Sequence, residues 1–561
     1  MKTRKLINVF IAFFALIVIG ACTNLDEVVY DQIISEEFVP QERDVLSIIG
    51  PSYTQMEWVL FGWRGFFDSQ EECSDILVTN GRYASDWVDG GVYKAMHQHT
   101  WSAEAGPPSY NIYNNCYTGI NNVNTSLKYI DEGTLPIGTG YDEATADAME
   151  KSLIAELKTA RSLYYYWLLD NYGRIPITTS IDDSLPTQKE RNEVYNFIMD
   201  ELRTNVPLLT EDNNSKTYGR FNKWAGMALM AKMYLNAEVY IGEPRWDSCI
   251  LYCDRIMESG KFTLSANYGD PFVTENQNCT EMIFAVPFTD DLGRMVGGWF
   301  HLLNKTLHQQ NQKTYGLVEA PWAEGGICAI PQFINTYHPR DKRKEATWIM
   351  GQQYSNTGDT LYCSIDPKNA ERPLAFTNTL ETVDYSDEFE GYRIGKFEIA
   401  YGTQYQLEND FPIFRLTDIY MMKAECLLRQ GNATGAAELV TEIRKRAFDD
   451  INDATITGDT LLKGSLYNYG LVDEFGTFPE PGGGSDIQYG RFLDELGWEF
   501  ACEARRRQDL IRFGVFTTKD WYNSKDVTLA VDPDADGHTK VFAIPQGALD
   551  NNPNLTQNPG Y

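Results

Sequence analysis

The sequence predicts a mainly α protein: a tetratricopeptide-like scaffold of helical pairs (an α-α superhelix) carrying one large irregular insertion of loops and short strands. Three observations predict it. Apolar residues recur at spacings of three and four over about 110–260 and again over about 412–520. The stretch "FRLTDIYMMKAECLLRQGNATGAAELVTEIRKRA" reads as helix, turn, helix in about 34 residues, a unit that buries its faces only by stacking on neighbours. Between these regions, over about 262–410, the helical period fades and Gly, Pro, Asn and aromatic residues accumulate.

The chain opens with Lys2, Arg4 and Lys5, followed by an apolar run from Leu6 to Ala21. That run is short for a membrane span, which needs about 20 residues, and the small residues Gly20 and Ala21 sit where a signal peptidase cuts. Residues 1–21 are therefore expected to be a signal peptide, and 22–561 a single unit. "VIGAC" resembles the lipobox of bacterial lipoproteins, which makes Cys22 the expected lipidated N-terminus. Asp26 and Glu27 resemble the acidic surface-export signals of such lipoproteins. More than one acyl chain on Cys22 gives stable anchoring where one is marginal.

In the first helical region, "AMEKSLIAELKTARSLYYYWLLDNYG" ends on Gly173 as a C-cap, and "EVYNFIMDELRTNVPLL" is stopped by Pro207. Ala225, Gly226, Ala228 and Ala231 let neighbouring helices approach closely. In the second, Leu416, Ile419, Tyr420, Ala424 and Leu427 make an apolar stripe, and Gly431 and Asn432 make the turn. Within the insertion, "EMIFAVPF" reads as a strand.

Composition narrows the function. A net charge of −31 argues against nucleic acid, which demands a basic surface. With 43% hydrophobic residues the chain is globular, and most of its 33 Tyr, 28 Phe and 12 Trp are expected in the core, a supply that leaves some free to line a binding face. Beyond Cys22, nine cysteines show no CxxC spacing, and the six histidines are scattered, so neither a disulfide framework nor a zinc site is expected. "VDPDADGHTK" resembles the start of a calcium loop through Asp532, Asp534 and Asp536, but its twelfth position is Ala543 where a Glu is needed. Calcium is the one cofactor the sequence suggests, and a solvated acidic turn is the plainer reading. No Walker loop, G-x-S-x-G or H-E-x-x-H motif is present, and no catalytic residues are assigned.

Five stretches in order make the resemblance specific: "AELKTARSLYYYWLLDNYGRIPI", "GKFTLSANYGDPF", "FPIFRLTDIYMMKAECLLRQGN", "LGWEFACEARRRQDLIRFG" and "AIPQGALDNNPNLTQNPGY". Together they resemble the SusD/RagB family of outer-membrane nutrient-uptake lipoproteins over nearly the whole mature chain. Asp494, Glu495 and Ala504 depart from the family pattern, Ala504 standing where Gly is usual. The resemblance implies a non-enzymatic protein on the outer membrane, exposed at the cell surface. It would capture oligosaccharide and pass it to a TonB-dependent SusC-like transporter. The alternative is a helical protein-interaction scaffold, or a peptide-binding member without glycan binding.

The stretch "FFDSQEECSDILVTNGRYASDWVDGGVYKAMHQHTW" resembles the glycan-binding loop of such proteins. Its residues suit sugar. Trp87, followed by Gly90 and Gly91, sits where a large ring is hard to bury, and an exposed indole stacks on the C–H face of a sugar ring. Asn80, Arg82, Asp68 and Asp86 offer hydrogen bonds to hydroxyls, and Tyr83 is a further ring. Trp299 and Trp322, beside glycines in the insertion, are added candidates, whereas His99 and Trp101 are expected to pack in the core. The acidic balance favours a neutral glycan.

Overall fold

A computed structural model describes residues 44–83, 89–103, 109–181, 185–288, 300–321, 326–404, 406–472 and 482–561. The principal helices are α1 (Pro51–Phe61), α2 (Ser109–Asp131), α3 (Glu143–Tyr172), α4 (Arg191–Asn205), α5 (Lys223–Leu235) and α6 (Trp246–Glu258). After the insertion come α7 (Leu416–Arg429), α8 (Ala433–Arg444), α9 (Gly490–Phe500) and α10 (Arg506–Arg512). The mainly helical class expected from the periodicity is the class observed. Among the described residues, no helix is long and apolar enough to cross a membrane.

The helices stack in succession: α1 on α2, α2 on α3, α3 on α4, α5 on α6 and α7 on α8. Local chemistry fixes their ends. Asp142 caps α3 by accepting a hydrogen bond from Thr145 N at 3.0 Å, and Asn222 caps α5 by accepting from Trp224 N and Ala225 N. Gly119 lets α2 lie against α3, since a Cβ there would fall 2.3 Å from the Tyr164 ring. The α7 stripe read from the sequence is narrower than the buried surface. Of the stripe, Leu416, Ile419 and Ala424 are buried and Tyr420 and Leu427 half-buried, while Met421, Met422, Cys426 and Leu428 are buried as well, because α7 packs on α5, α6 and α8 at once.

The insertion leaves and re-enters the scaffold at one place. Strand β1 (Leu77–Thr79) precedes it, β2 (Met282–Val286) opens it, β3 (Ile327–Ala329) lies within it and β4 (Phe411–Arg415) closes it. β2 pairs antiparallel with β4, Phe411 opposite Val286, so α6 and α7 pack together although the chain between them is long. β1 pairs antiparallel with β3, Leu77 opposite Ala329, which ties the N-terminal loop to the insertion.

The arginine-rich stretch around α9 and α10 is a buried electrostatic hub. Arg415 donates to Glu281 at 2.8 Å, Glu499 at 3.0 Å and Glu503 at 2.8 Å, all fully buried. Arg343 pairs with Asp341 and with Glu495 at 2.6 Å. Burial raises the Glu425 pKa, but the Arg512 and Arg429 guanidinium groups outweigh it and hold the carboxyl down at about 2. Removing either partner of such a pair strands a buried charge, at a cost of about 3–5 kcal/mol.

Candidate functional site

The candidate loop runs from the end of β1 to the short helix Val92–His97. Its base is clamped by the segment 381–390 of the insertion. Gly81 N donates to Val383 O and Ser386 N donates to Gly81 O, both at 2.9 Å. Asn80 is buried, and its amide nitrogen donates to the Thr382 carbonyl, with Tyr522 OH at 2.8 Å and Ser386 Oγ at 3.0 Å. Arg82 is buried as well; it donates to the Asp387 carbonyl and to the Glu390 carbonyl at 2.9 Å. Segment 381–390 is in turn pinned at Glu388, which accepts from the amides of Ser364, Ile365 and Asp366 and lies 2.7 Å from His308 Nε2. Burial works against ionisation of Glu388, yet these hydrogen bonds prevail and hold its carboxyl below the usual range.

These positions correct the expectation for three residues. The Asn80 amide and the terminal guanidinium nitrogens of Arg82 donate to the protein, because the insertion closes over them, and Arg82 Nε is buried without a partner among the described residues. Asp68 is also buried; it lies 3.1 Å from Lys305 Nζ, whose ammonium also reaches Glu72 and sits over the Tyr93 ring. A polar group that is desolvated and already paired offers little to a sugar hydroxyl. These three side chains build the platform under the loop.

Among the described residues, Tyr83 is the expected site residue that reaches solvent, with 48% of its surface exposed. Asp86 and Trp87 lie outside the described residues, as do Trp299, Trp322 and Cys22. The structure adds a residue the sequence reading passed over. Trp63 is 40% exposed, and its indole N–H donates to Asp89 Oδ2 at 3.1 Å, at the far end of the same loop. Arg64 Nε donates to the same oxygen at 2.8 Å. Trp63 carries the signal used for Trp87, a tryptophan among glycines, in "FGWRGFF". Gly90 and Gly91 follow at φ 67° and 89°, a left-handed turn that side chains with a Cβ adopt only under strain. Lys94 and Asp384, 2.5 Å apart, bridge the loop's far side to the clamp.

The calcium reading is not supported by the geometry. Asp532 pairs with Lys525, Asp534 Oδ2 with His99 Nδ1 at 2.8 Å, and Asp536 with His538 Nδ1 at 2.5 Å, so the three carboxylates diverge. Among the described residues no cluster of three or more His, Cys, Asp or Glu side chains is arranged to hold a metal. His99 and Trp101 are buried, as packing residues should be.

Residues 280–561, half of the chain, match the family model described as SusD family. This chain belongs to the SusD family. Residues 65–235, which include the candidate loop, match a second model described as starch-binding associating with outer membrane. Among curated relatives, the starch-binding protein SusD of Bacteroides thetaiotaomicron is 26% identical over 463 residues, covering 75% of this chain and 74% of that one. SusD-like protein P25 of Formosa agariphila is 21% identical over 538 residues, covering 91% and 90%. Among solved structures, a laminarin-binding SusD-like protein superposes with a TM-score of 0.66 at 20% identity, covering 93% of this chain and all of that one (100%). A SusD homologue from Bacteroides thetaiotaomicron reaches 0.68 at 17% identity, covering 94% and 98%. At such identities the solved structures share the fold. In this SusD-family chain, the loop with Tyr83 and Trp63 at its borders is the candidate site to which the chemistry points.

Proposed function

We propose that this SusD-family protein is a surface-exposed glycan-binding lipoprotein. It captures oligosaccharides outside the cell and delivers them to a partner TonB-dependent SusC-like transporter in the outer membrane. Lipid on Cys22 tethers it. The observation that carries the reading is the pair of exposed rings, Tyr83 and Trp63, at the borders of a loop whose base is locked into the insertion. Rings held on a rigid base stack on sugar C–H faces with little ordering cost. Asp86, Trp87, Trp299 and Trp322 complete the set in this reading. The names of relatives that bind starch or laminarin support carbohydrate as the ligand class.

Binding rather than catalysis is the proposed activity. Native affinity electrophoresis through starch, laminarin and other neutral polysaccharides tests it, with calorimetry on the one that retards the protein. Trp87→Ala is expected to lower affinity by about 1–3 kcal/mol in a folded protein. Retardation by no glycan would favour the protein-scaffold alternative, and release of new reducing ends would point to an enzyme.

A further inference from the structure

Two connected apolar hollows open where the described chain begins. One, of about 240 Å³, is walled by Ile49, Met56, Val286 and Pro287. The other, of about 480 Å³, is walled by Ile137, Met149, Leu153 and Phe221. Leu46 and Arg220 belong to both. Three polar side chains in this groove engage one another: Arg220 donates to both oxygens of Glu156, at 2.8 and 2.7 Å, and Tyr53 OH donates to Glu156 Oε1 at 2.7 Å. Apart from Glu57, Lys216 and a few hydroxyl side chains, what remains is mostly aliphatic surface, with Leu46 at 55% and Met149 at 37% exposure. A paired floor under apolar walls suits an apolar occupant, not a sugar.

We infer that the groove is filled by this chain's own N-terminal arm, through the apolar residues of "EVVYDQIISEEFV" (27–39). The chain passes through the groove wall at Val45 and Leu46, so whatever precedes Asp44 starts at its mouth. The arm carries Val28, Val29, Tyr30, Ile33, Ile34, Phe38 and Val39, a density of apolar side chains out of place on a solvated tether. Tyr30, Ile33, Ile34 and Phe38 follow the spacing of residues that anchor a segment in a hydrophobic groove. Residues 39–43 span at most about 18 Å when extended, enough to bring Phe38 into either hollow and too short to let it roam. So short a connection gives the arm an effective concentration in the millimolar range, which favours it over a second copy or a separate partner. The groove wall carries one charge of each sign outside the Arg220–Glu156 pair, Glu57 and Lys216, and Lys216 offers a cation to Asp31, Glu36 or Glu37 of the arm. With lipid on Cys22, docking of 27–39 would leave only residues 22–26 as free tether. The protein would then be held close to the membrane instead of on a loose leash.

Hydrogen exchange on the mature chain tests this, comparing wild type with Ile34→Asp/Phe38→Asp. The expected result is exchange roughly tenfold faster in the variant at Val45–Ile49 and around Met149–Leu153, with α7 and α8 unchanged. A synthetic peptide of residues 26–41 should restore protection to the variant. Equal exchange in the two proteins would overturn the inference. So would protection that depends on protein concentration, the mark of a second copy. Because the substitutions lie outside the described core, unchanged α7 and α8 verify that the variant is folded. Glycan binding plays no part in the readout, so the inference stands or falls apart from the proposed ligand.

Discussion

Arg506 closes on Asp75 through two hydrogen bonds, Nε to Oδ1 at 2.7 Å and NH2 to Oδ2 at 2.9 Å, both side chains buried. The pair joins α10 to the residues just before β1, and so fixes the strand from which the candidate loop departs. Tyr469 OH donates to the same Asp75 at 2.7 Å. Arg506→Ala should therefore lower stability by about 3–5 kcal/mol, because Asp75 keeps its charge and loses its counterion. Urea denaturation measures it. A loss below about 1 kcal/mol would mean that water reaches Asp75 and that the pair does not fix β1.

Asn80→Ala separates a supporting residue from a ligand contact. The amide holds Thr382, Ser386 and Tyr522 together, so its removal should cost about 1–3 kcal/mol of folding stability. If Asn80 instead met the glycan, stability would hold while affinity fell. Paired thermal unfolding and calorimetry on the same sample decide between the two.

Much of the scaffold was legible because helical period is local. Leu416 and Ile419 are buried as their spacing predicts, and Met282–Val286 is the strand its apolar run suggests. The site was less legible because its decisive contacts are remote in sequence. Nothing near Asn80 or Arg82 reveals that 381–390 folds over them, and a polar residue in a turn-rich stretch reads as solvated until its cover is seen. The acidic turn is a different case, because the sequence reading already prefers a solvated turn to a calcium loop there. Asp532, Asp534 and Asp536 have ligand spacing, yet Lys525, His99 and His538 divide them. Trp63 was within reach, since the glycine neighbours that mark Trp87 are matched in "FGWRGFF".

Ala504 has a left-handed backbone, φ 57°, at the position where the family resemblance leads one to expect Gly. A Cβ in that conformation costs about 1–2 kcal/mol, partly offset because Gly loses more entropy on folding. Ala504→Gly should raise stability by about 0.5–1 kcal/mol, read as a higher urea midpoint at unchanged slope. An unchanged or lower midpoint would show that the hub around Arg505 relieves the strain.

Trp63→Ala tests the residue that the structure brings to the loop. Its ring is partly exposed and its N–H is held by Asp89, so truncation should spare stability and lower glycan affinity by about 1–3 kcal/mol. Trp63→Phe keeps a ring for stacking and loses the hydrogen bond to Asp89; it should retain most of the affinity. Equal loss in both variants would mean that Trp63 acts by positioning Asp89.

Glu71 gives the protein a pH dependence of definite sign. It is buried beside α10, Oε1 accepts from Arg505 N at 3.3 Å, and Oε2 has no hydrogen-bond partner among the described residues. Burial pushes its carboxyl up to about 7, with only partial relief from the amides of Arg505, Ala504 and Cys502 and from the Lys396 charge. An unfolded Glu titrates near about 4.3, so the folded state binds a proton more tightly over the interval between. The favourable effect is complete below about pH 4.3 and is lost as pH rises through about 7. Glu71→Gln carries a neutral side chain of the same shape and escapes that loss. The stability of the variant relative to wild type should therefore climb by up to ~3 kcal/mol between about pH 4.3 and 8. Taking the difference between the two proteins cancels every other titrating group that the substitution leaves undisturbed. Denaturation curves at several pH values across that range provide the test. A difference that stays flat would mean that Glu71 is ionised in the folded protein at neutral pH, and that the interior beside α10 is wetter than its packing implies.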